Sequence, residues 1–377
     1  MDDASNRSDL DPKTLNEKID SALHEFTSSH LKKDIRIKRI QLCQENGSHI
    51  ELEKTYQNFM NQCTNHKISF QNGDDPIFLQ VEQRKQDTWS ISSTVQFSFG
   101  YSTWKGRVMN LNSFLIQKEV EQDLQYCIID GLKKIAQALL CARIVFQSTN
   151  KGELDFWINE IQAEDLPDWL TLEMNQDAMQ RFTNSNIDEA LSIPQDDVKT
   201  IQMILKQRNV ILSKSNDTQA TLYLAGQTDA DSIFDLVNGL AIYEKAQDEV
   251  AVTSEIYQRD GCLVNHAIFH CVLVKIHKDD KKVVVGMGFF YFGYDIENGG
   301  RYLYLEDLFI KEEYRGKGYG KAVMTCLAEI AIKCNCSRFV WQALDWNTPA
   351  LKFYEKIGAK ICKGLRTVRL NESDISS

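Results

Sequence analysis

The stretch Tyr304-Leu305-Glu306-Asp307-Leu308-Phe309-Ile310, followed after a short gap by Arg315-Gly316-Lys317-Gly318-Tyr319-Gly320, decides how this chain is read. Apolar positions around two acids predict a strand, the glycines a turn, and the apolar spacing from Lys321 to Cys334 a helix. The first-turn amides of such a helix have no intrahelical partners and carry the positive end of its dipole, so they point at an anion. Gly316-x-Gly318-x-Gly320 lacks the two-residue gap of the dinucleotide fingerprint, and the Gly-x4-Gly-Lys-Ser/Thr nucleotide loop is missing too. Glycine at alternate positions lets successive amides turn inward as a nest for a pyrophosphate, with Arg315 adding a charge-assisted contact. Taken alone, the same residues fit an ordinary tight strand-to-helix turn equally well.

The flanks add to this. Arg-x-x-Gly-x-Gly after an apolar strand resembles the acetyl-coenzyme A loop of the GNAT acetyltransferases. Tyr304-Leu305-Glu306-Asp307 upstream, with Asp345-Trp346-Asn347 and Phe353-Tyr354 downstream, resembles the diamine (spermidine/spermine) N-acetyltransferase family more narrowly. The resemblance runs from about Thr221 to about Leu370 and includes Tyr243-Glu244 and Phe292-Gly293-Tyr294-Asp295.

At 377 residues the chain exceeds what one core usually organises, so two domains are expected. The polar, acidic start Met1-Asp2-Asp3-Ala4-Ser5-Asn6-Arg7 carries no apolar segment of the kind that directs secretion. No apolar run reaches membrane-spanning length, and a cytoplasmic chain without membrane partners is expected. The ten cysteines are scattered, several within apolar helical patterns such as those of Cys127, Cys141 and Cys326, and read as buried free thiols. Cys334-x-Cys336 is too close for a zinc pair, and His266 and His270 sit where the pattern predicts a strand, so no metal is expected. A net charge of -10 disfavours nucleic acid and steers cations toward the protein.

An eroded copy of the same pattern lies upstream. Phe99-Gly100-Tyr101 through Gly106-Arg107 aligns with Phe292-Gly293-Tyr294 through Gly300-Arg301, and Leu111-Asn112-Ser113-Phe114 then falls on Leu305-Glu306-Asp307-Leu308. Arg143-Ile144-Val145-Phe146-Gln147 matches Arg338-Phe339-Val340-Trp341-Gln342, and Phe156-Trp157 matches Phe353-Tyr354. The apolar pattern survives and the chemistry does not. Asn112 and Ser113 replace the carboxylates, Trp157 the tyrosine, and Glu121-Gln122-Asp123 part of the glycine-rich loop, where acids repel a pyrophosphate.

The expected organisation is a helical arm (1–33, loosely held), a degenerate, non-catalytic GNAT-like domain (34–182), a linker with a helix over Val198–Arg208 (183–218), a catalytic domain (219–371) and a frayed tail (372–377). Each domain is expected to be α/β, a mixed, mostly antiparallel sheet flanked by helices. The resemblance implies a family that generally works as a homodimer, so the two copies are expected either to dock on each other as an intrachain pseudo-dimer or to leave a homodimer to form.

An ammonium must lose a proton before its nitrogen attacks a thioester, and the leaving thiolate benefits from gaining one, so two proton-transfer groups are needed. Glu306, inside the strand by its alternation with Tyr304 and Leu308, is the candidate base, or else one member of a buried ion pair. Tyr354 on an apolar helical face reads as core or as an acid, and the resemblance implies the proton donor to the coenzyme A sulfur. Backbone amides around Leu308 to Ile310 are candidates for holding the acetyl carbonyl. The resemblance implies that Phe309, Ile310 and the loop Arg315, Gly316, Lys317, Gly318, Tyr319 and Gly320 hold acetyl-coenzyme A, with Lys356 a further phosphate contact. Asn347, at a helix start, is a cap or a cofactor contact.

For a small cationic amine, the resemblance implies Tyr243, Glu244, Asp295, Glu306 and Asp307 as contacts, although isolated acids are usually solvated. Two departures bear on which amine is used. The segment after Gly358-Ala359 is short and basic (Lys360-Ile361-Cys362-Lys363), and Asp295 is followed by Ile296 rather than tryptophan. A diamine or polyamine is the first reading, and an amino-acid-like amine such as a lysine analogue is the second. A protein that binds acetyl-coenzyme A without turnover is the non-enzymatic alternative.

Overall fold

The computed structural model describes residues 12–30, 35–40, 77–85, 88–116, 122–184, 196–207, 219–261, 267–278, 281–295 and 300–376. Its strands are, in chain order, β1 (Ile35–Ile40), β2 (Ile77–Lys85), β3 (Thr88–Ser102), β4 (Gly106–Ile116), β5 (Arg143–Ser148), β6 (Glu164–Leu166) and β7 (Trp169–Asn175), then β8 (Gln219–Leu224), β9 (His270–Lys278), β10 (Lys281–Asp295), β11 (Gly300–Ile310), β12 (Arg338–Leu344), β13 (Lys360–Ile361) and β14 (Arg366–Asn371). They form two sheets, ordered β1-β2-β3-β4-β5-β14-β6 and β13-β7-β12-β11-β10-β9-β8. Each sheet holds one parallel pair, β4 with β5 and β11 with β12, among antiparallel neighbours. The mixed, mostly antiparallel sheet expected for each copy is present twice, with the helices Gln122–Ala138 and Tyr319–Lys333 in corresponding places.

The repeat holds at the level of register. Leu111 faces Phe146 where Leu305 faces Trp341, and both parallel ladders stop there. Both hairpins also bulge at the same place: the pairing of β3 with β4 skips Asn112, and that of β10 with β11 skips Glu306. A bulge bends its strand and re-aims the extra residue. The base candidate therefore owes its direction to a backbone irregularity that the first copy shares.

The sheets do not follow the halves of the sequence. β7, from the stretch 34–182, runs between β12 and β13, and β14, from 219–371, runs between β5 and β6. Each repeat thus lends its last long strand to the other's sheet. Where the loaned strands cross, Gln147 donates to Thr367 (2.9 Å) and Thr171 (3.3 Å), and Gln342 donates to the same two hydroxyls (2.7 and 3.2 Å).

Packing between the copies is aromatic and close. The rings of Phe269 and Phe289 from the second copy lie 4.2 Å apart, and Phe269 lies 4.6 Å from Tyr101 of the first. A Cβ at Gly100 would come within 2.7 Å of the Tyr291 ring, so only glycine permits this approach. Arg107 and Asp260, both fully buried, form an ion pair at 2.6 Å across the same boundary. Breaking such a pair strands a buried charge, which holds the copies in one register.

The N-terminal helix is not loosely held. Pro12–His30 buries Leu15, Ile19, Ala22 and Leu23 on one face, at helical spacing, and packs on the Gln122–Ala138 helix. Nor are residues 372–376 frayed: Glu372–Ser376 is a short helix with Ile375 2% exposed and its carbonyl accepting from Gln137 (2.7 Å). The linker helix spans Asp197–Gln207, and Arg208 lies outside the described residues. The described cysteines carry no disulfide. His270 begins β9 and is buried, with His266 outside the described residues. Among the described residues, no helix is long and apolar enough to cross a membrane.

Candidate active site

The site begins with a failure of pairing. β11 hydrogen-bonds β12 only from Tyr302 to Leu305, but stays paired to β10 as far as Ile310. β12 meanwhile follows β7 to Leu344. Past Leu305 the two strands part, so peptide groups on the β12 side of Glu306 to Ile310 have no sheet partner and need another. The wedge opens into a continuous cavity of about 1530 Å³ that reaches both copies.

The glycine-rich loop forms one end of this cavity. Gly316 (φ +74°) and Gly318 (φ +88°) are left-handed, and a Cβ on either would meet nothing within 4 Å. Glycine is needed there for backbone conformation, and the space beside the loop stays open. The helix Tyr319–Lys333 starts without a side-chain cap, which leaves first-turn amides available to an anion. Gly318, Tyr319 and Gly320 line the cavity, as do Leu308, Phe309 and Ile310. Arg315 donates through Nε to the Ile310 carbonyl (2.9 Å), and its guanidinium lies 4.8 Å from the Tyr243 ring. Lys317 departs from the expected set, since it does not line the cavity and its Nζ sits 4.9 Å from the Tyr314 ring. Asn347 lines the cavity and also caps the helix Thr348–Lys356, accepting from the Ala350 N–H at 3.3 Å. Lys356 lines the exposed rim.

Glu306, Asp307 and Glu244 line the same cavity, while the Asp295 side chain lies outside the described residues. The acids meet a residue that the sequence did not point to. Thr103, in the β3–β4 turn of the eroded copy, donates its hydroxyl to Asp307 (2.5 Å) and its backbone N–H to Glu306. The Tyr257 hydroxyl, donating to the Thr103 carbonyl at 2.6 Å, fixes that turn. Nothing local marks a turn threonine as functional. Only docking the first hairpin against the second copy would have found it.

Burial and then the Asp307 charge push the Glu306 carboxyl well above the ordinary range. Burial pushes Asp307 up to about 6, and burial followed by the Asp307 charge pushes Glu244 up to about 7. Three carboxyls in one low-dielectric space resist joint ionisation, so an arriving cation offsets a repulsion already built in. Tyr354 is buried beside Trp341, ring centroids 5.2 Å apart. Burial, then Asp307 and Glu244, raise its phenol above the usual range and keep the proton on oxygen. In the first copy Trp157 fills the corresponding place against Phe146, at 5.3 Å, and offers no such proton.

A profile described as Acetyltransferase (GNAT) family matches residues 233–359. The thialysine N-epsilon-acetyltransferase of Sus scrofa is 36% identical over 140 residues, which is 36% of this chain and 81% of that protein. The chain belongs to the GNAT acetyltransferase family. The spermidine/spermine N(1)-acetyltransferase-like protein 1 of Homo sapiens is 32% identical over 136 residues, 35% of this chain and 19% of that one. Among solved structures, a tandem GNAT protein from the clavulanic acid biosynthesis pathway aligns over 95% of this chain and 94% of its own, at 9% identity and a TM-score of 0.42.

The carboxyl cluster makes this GNAT site costly to keep without ligand. The native state holds the Glu244 proton up to about pH 7, whereas an unfolded glutamate releases it near 4.5. The folded state therefore binds the extra proton between those values, and stability falls as pH rises through that window. Glu244→Gln should remove the loss. At pH 8 the variant is expected to be more stable than the parent by about 1 kcal/mol, discounted for the partial exposure of the side chain to water. At pH 4.5 the two should melt together. Thermal melts at both pH values check this, and a variant less stable at pH 8 would refute the repulsion.

Proposed function

We propose that this chain transfers the acetyl group of acetyl-coenzyme A to a primary amine of a small aliphatic cation, by direct attack in a ternary complex. The observation that carries the reading is the wedge beside β11, where the base candidate Glu306, the acid candidate Tyr354 and the glycine-rich loop share one cavity. The Gly316 to Gly320 backbone and Arg315 are assigned to the pyrophosphate, and the peptide groups of Leu308 to Ile310 to the acetyl carbonyl.

The amine enters as an ammonium, drawn by Glu244, Asp307 and Glu306, and loses a proton to Glu306, directly or through water. The neutral nitrogen attacks the acetyl carbon. The carbon–sulfur bond breaks as the amide forms, the sulfur takes the Tyr354 proton, and the proton that the nitrogen sheds on becoming an amide restores the Tyr354 phenol through solvent. Burial first, then the nearby acids, keeps the phenol protonated at neutral pH, which suits a donor. Thr103 orients both acids, so the eroded copy serves the site without chemistry of its own.

Diamines or polyamines are one substrate class this acidic pocket suits, and lysine-like amino acids are the other, in keeping with the relatives in both groups. The test is a panel of primary amines assayed with acetyl-coenzyme A by mass spectrometry, alongside Tyr354→Phe. Turnover of at least one amine, reduced roughly 100-fold in the variant with acetyl-coenzyme A affinity retained, is expected. Calorimetric binding of acetyl-coenzyme A without acetylation of any amine would favour the non-enzymatic reading instead.

A further inference from the structure

This inference rests on the acetyl-transfer reading and concerns which amine enters. Four arginines line the cavity: Arg143, Arg315, Arg338 and Arg369. Three are engaged. Arg315 holds the Ile310 carbonyl, Arg338 pairs with Glu173 at 3.0 Å, and Arg369 pairs with Glu164 at 2.7 Å. The Arg143 side chain makes no hydrogen bond or ion pair with any described residue.

The repeat explains why. Arg143 and Arg338 occupy the same place, opposite Val108 and Tyr302 in their parallel ladders. In the second sheet the loaned strand β7 brings Glu173 to Arg338. Aligning the loaned strands on Thr171 and Thr367, which share the Gln147 and Gln342 contacts, sets Arg369 where Glu173 stands. Arg143 thus faces a cation where its twin has an acid. Burial and the Arg369 charge disfavour its charged form, which Glu306, Glu249 and Glu164 favour from a distance. A half-buried guanidinium facing a cavity, beside another cation and without a bound carboxylate, is a receptor for one.

We propose that Arg143, supplied by the non-catalytic copy, binds the carboxylate of the acceptor, so that the acceptor is the side-chain amine of a basic amino acid rather than a simple diamine. The Glu306–Asp307–Glu244 cluster takes the reacting ammonium, and Arg143 takes the acid end of the same molecule. A diamine offers Arg143 nothing and brings a second positive charge near it.

Two pairs of acceptors isolate the carboxylate: ornithine against putrescine, and lysine against cadaverine. With the full chain, kcat/KM is expected to favour the amino acid of each pair by roughly 10- to 100-fold, the range of a charge-assisted contact. Arg143→Gln should erase most of that ratio through KM, and Arg143→Lys should keep part of it. Calorimetry with acetyl-coenzyme A confirms that each variant is folded. A parent enzyme that prefers the diamines, or a ratio unmoved in Arg143→Gln, overturns the assignment while acetyl transfer stands. Failure to acetylate either member of both pairs, or any other amine, with acetyl-coenzyme A bound, overturns the enzymatic reading and this inference with it.

Discussion

Glu306→Gln is expected to lower kcat by roughly 10²- to 10⁴-fold while leaving acetyl-coenzyme A affinity within about threefold, because general-base assistance contributes on that scale and the loop lies elsewhere in the cavity. The substitution is nearly isosteric and keeps an acceptor for the Thr103 N–H. It removes one of three mutually repelling carboxyls, so the fold should hold. Steady-state kinetics across pH provide a second readout. The parent should gain activity as pH rises through the raised Glu306 range, and the variant should lack that limb. A variant within threefold of the parent at all pH values would leave Glu306 as a charge partner only.

Removal of residues 366–377 should have the largest effect on structure, although the candidate catalytic residues lie upstream of the cut. The deleted strand β14 is sandwiched between β5 and β6 of the other repeat and buries Val368 and Leu370, and Ile375 follows it into the same core. At about 1.5–3 kcal/mol for each fully buried side chain, the loss is roughly 5–9 kcal/mol. That is comparable to the whole stability of a typical domain. The truncated chain is expected to aggregate or to lose its cooperative melt together with acetyl-coenzyme A binding. A truncated protein that melts within a few degrees of the full chain would contradict a single cooperative unit.

Much of this was legible in the residues. The glycine loop, the wedge-lining tract and the correspondence of Leu111 with Leu305 were readable because the glycines dictate backbone angles and the apolar alternation dictates which face is buried. The bulge at Glu306 was not, since an inserted residue in a strand leaves no compositional trace. Strand exchange was hidden for a different reason. Alternation says that Trp169–Asn175 is a strand and not which sheet receives it. One clue existed: Thr171-Leu172-Glu173-Met174-Asn175 parallels Thr367-Val368-Arg369-Leu370-Asn371, which extends the repeat through both loaned strands. Thr103 was out of reach, because its hydrogen bond to Asp307 spans 204 positions of chain, and Arg143 because its cationic neighbour Arg369 comes from the loaned strand.

The turn that carries Thr103 gives the arrangement its last consequence. In an assembly of separate subunits, a residue donated from a neighbour vanishes upon dilution, and occupancy of the site follows the dissociation constant of the pair. Here the donor is tethered to the acceptor by the same backbone, and its effective concentration is set by covalent linkage rather than by abundance. Scarcity of the polypeptide therefore cannot strip the carboxyls of their clamp.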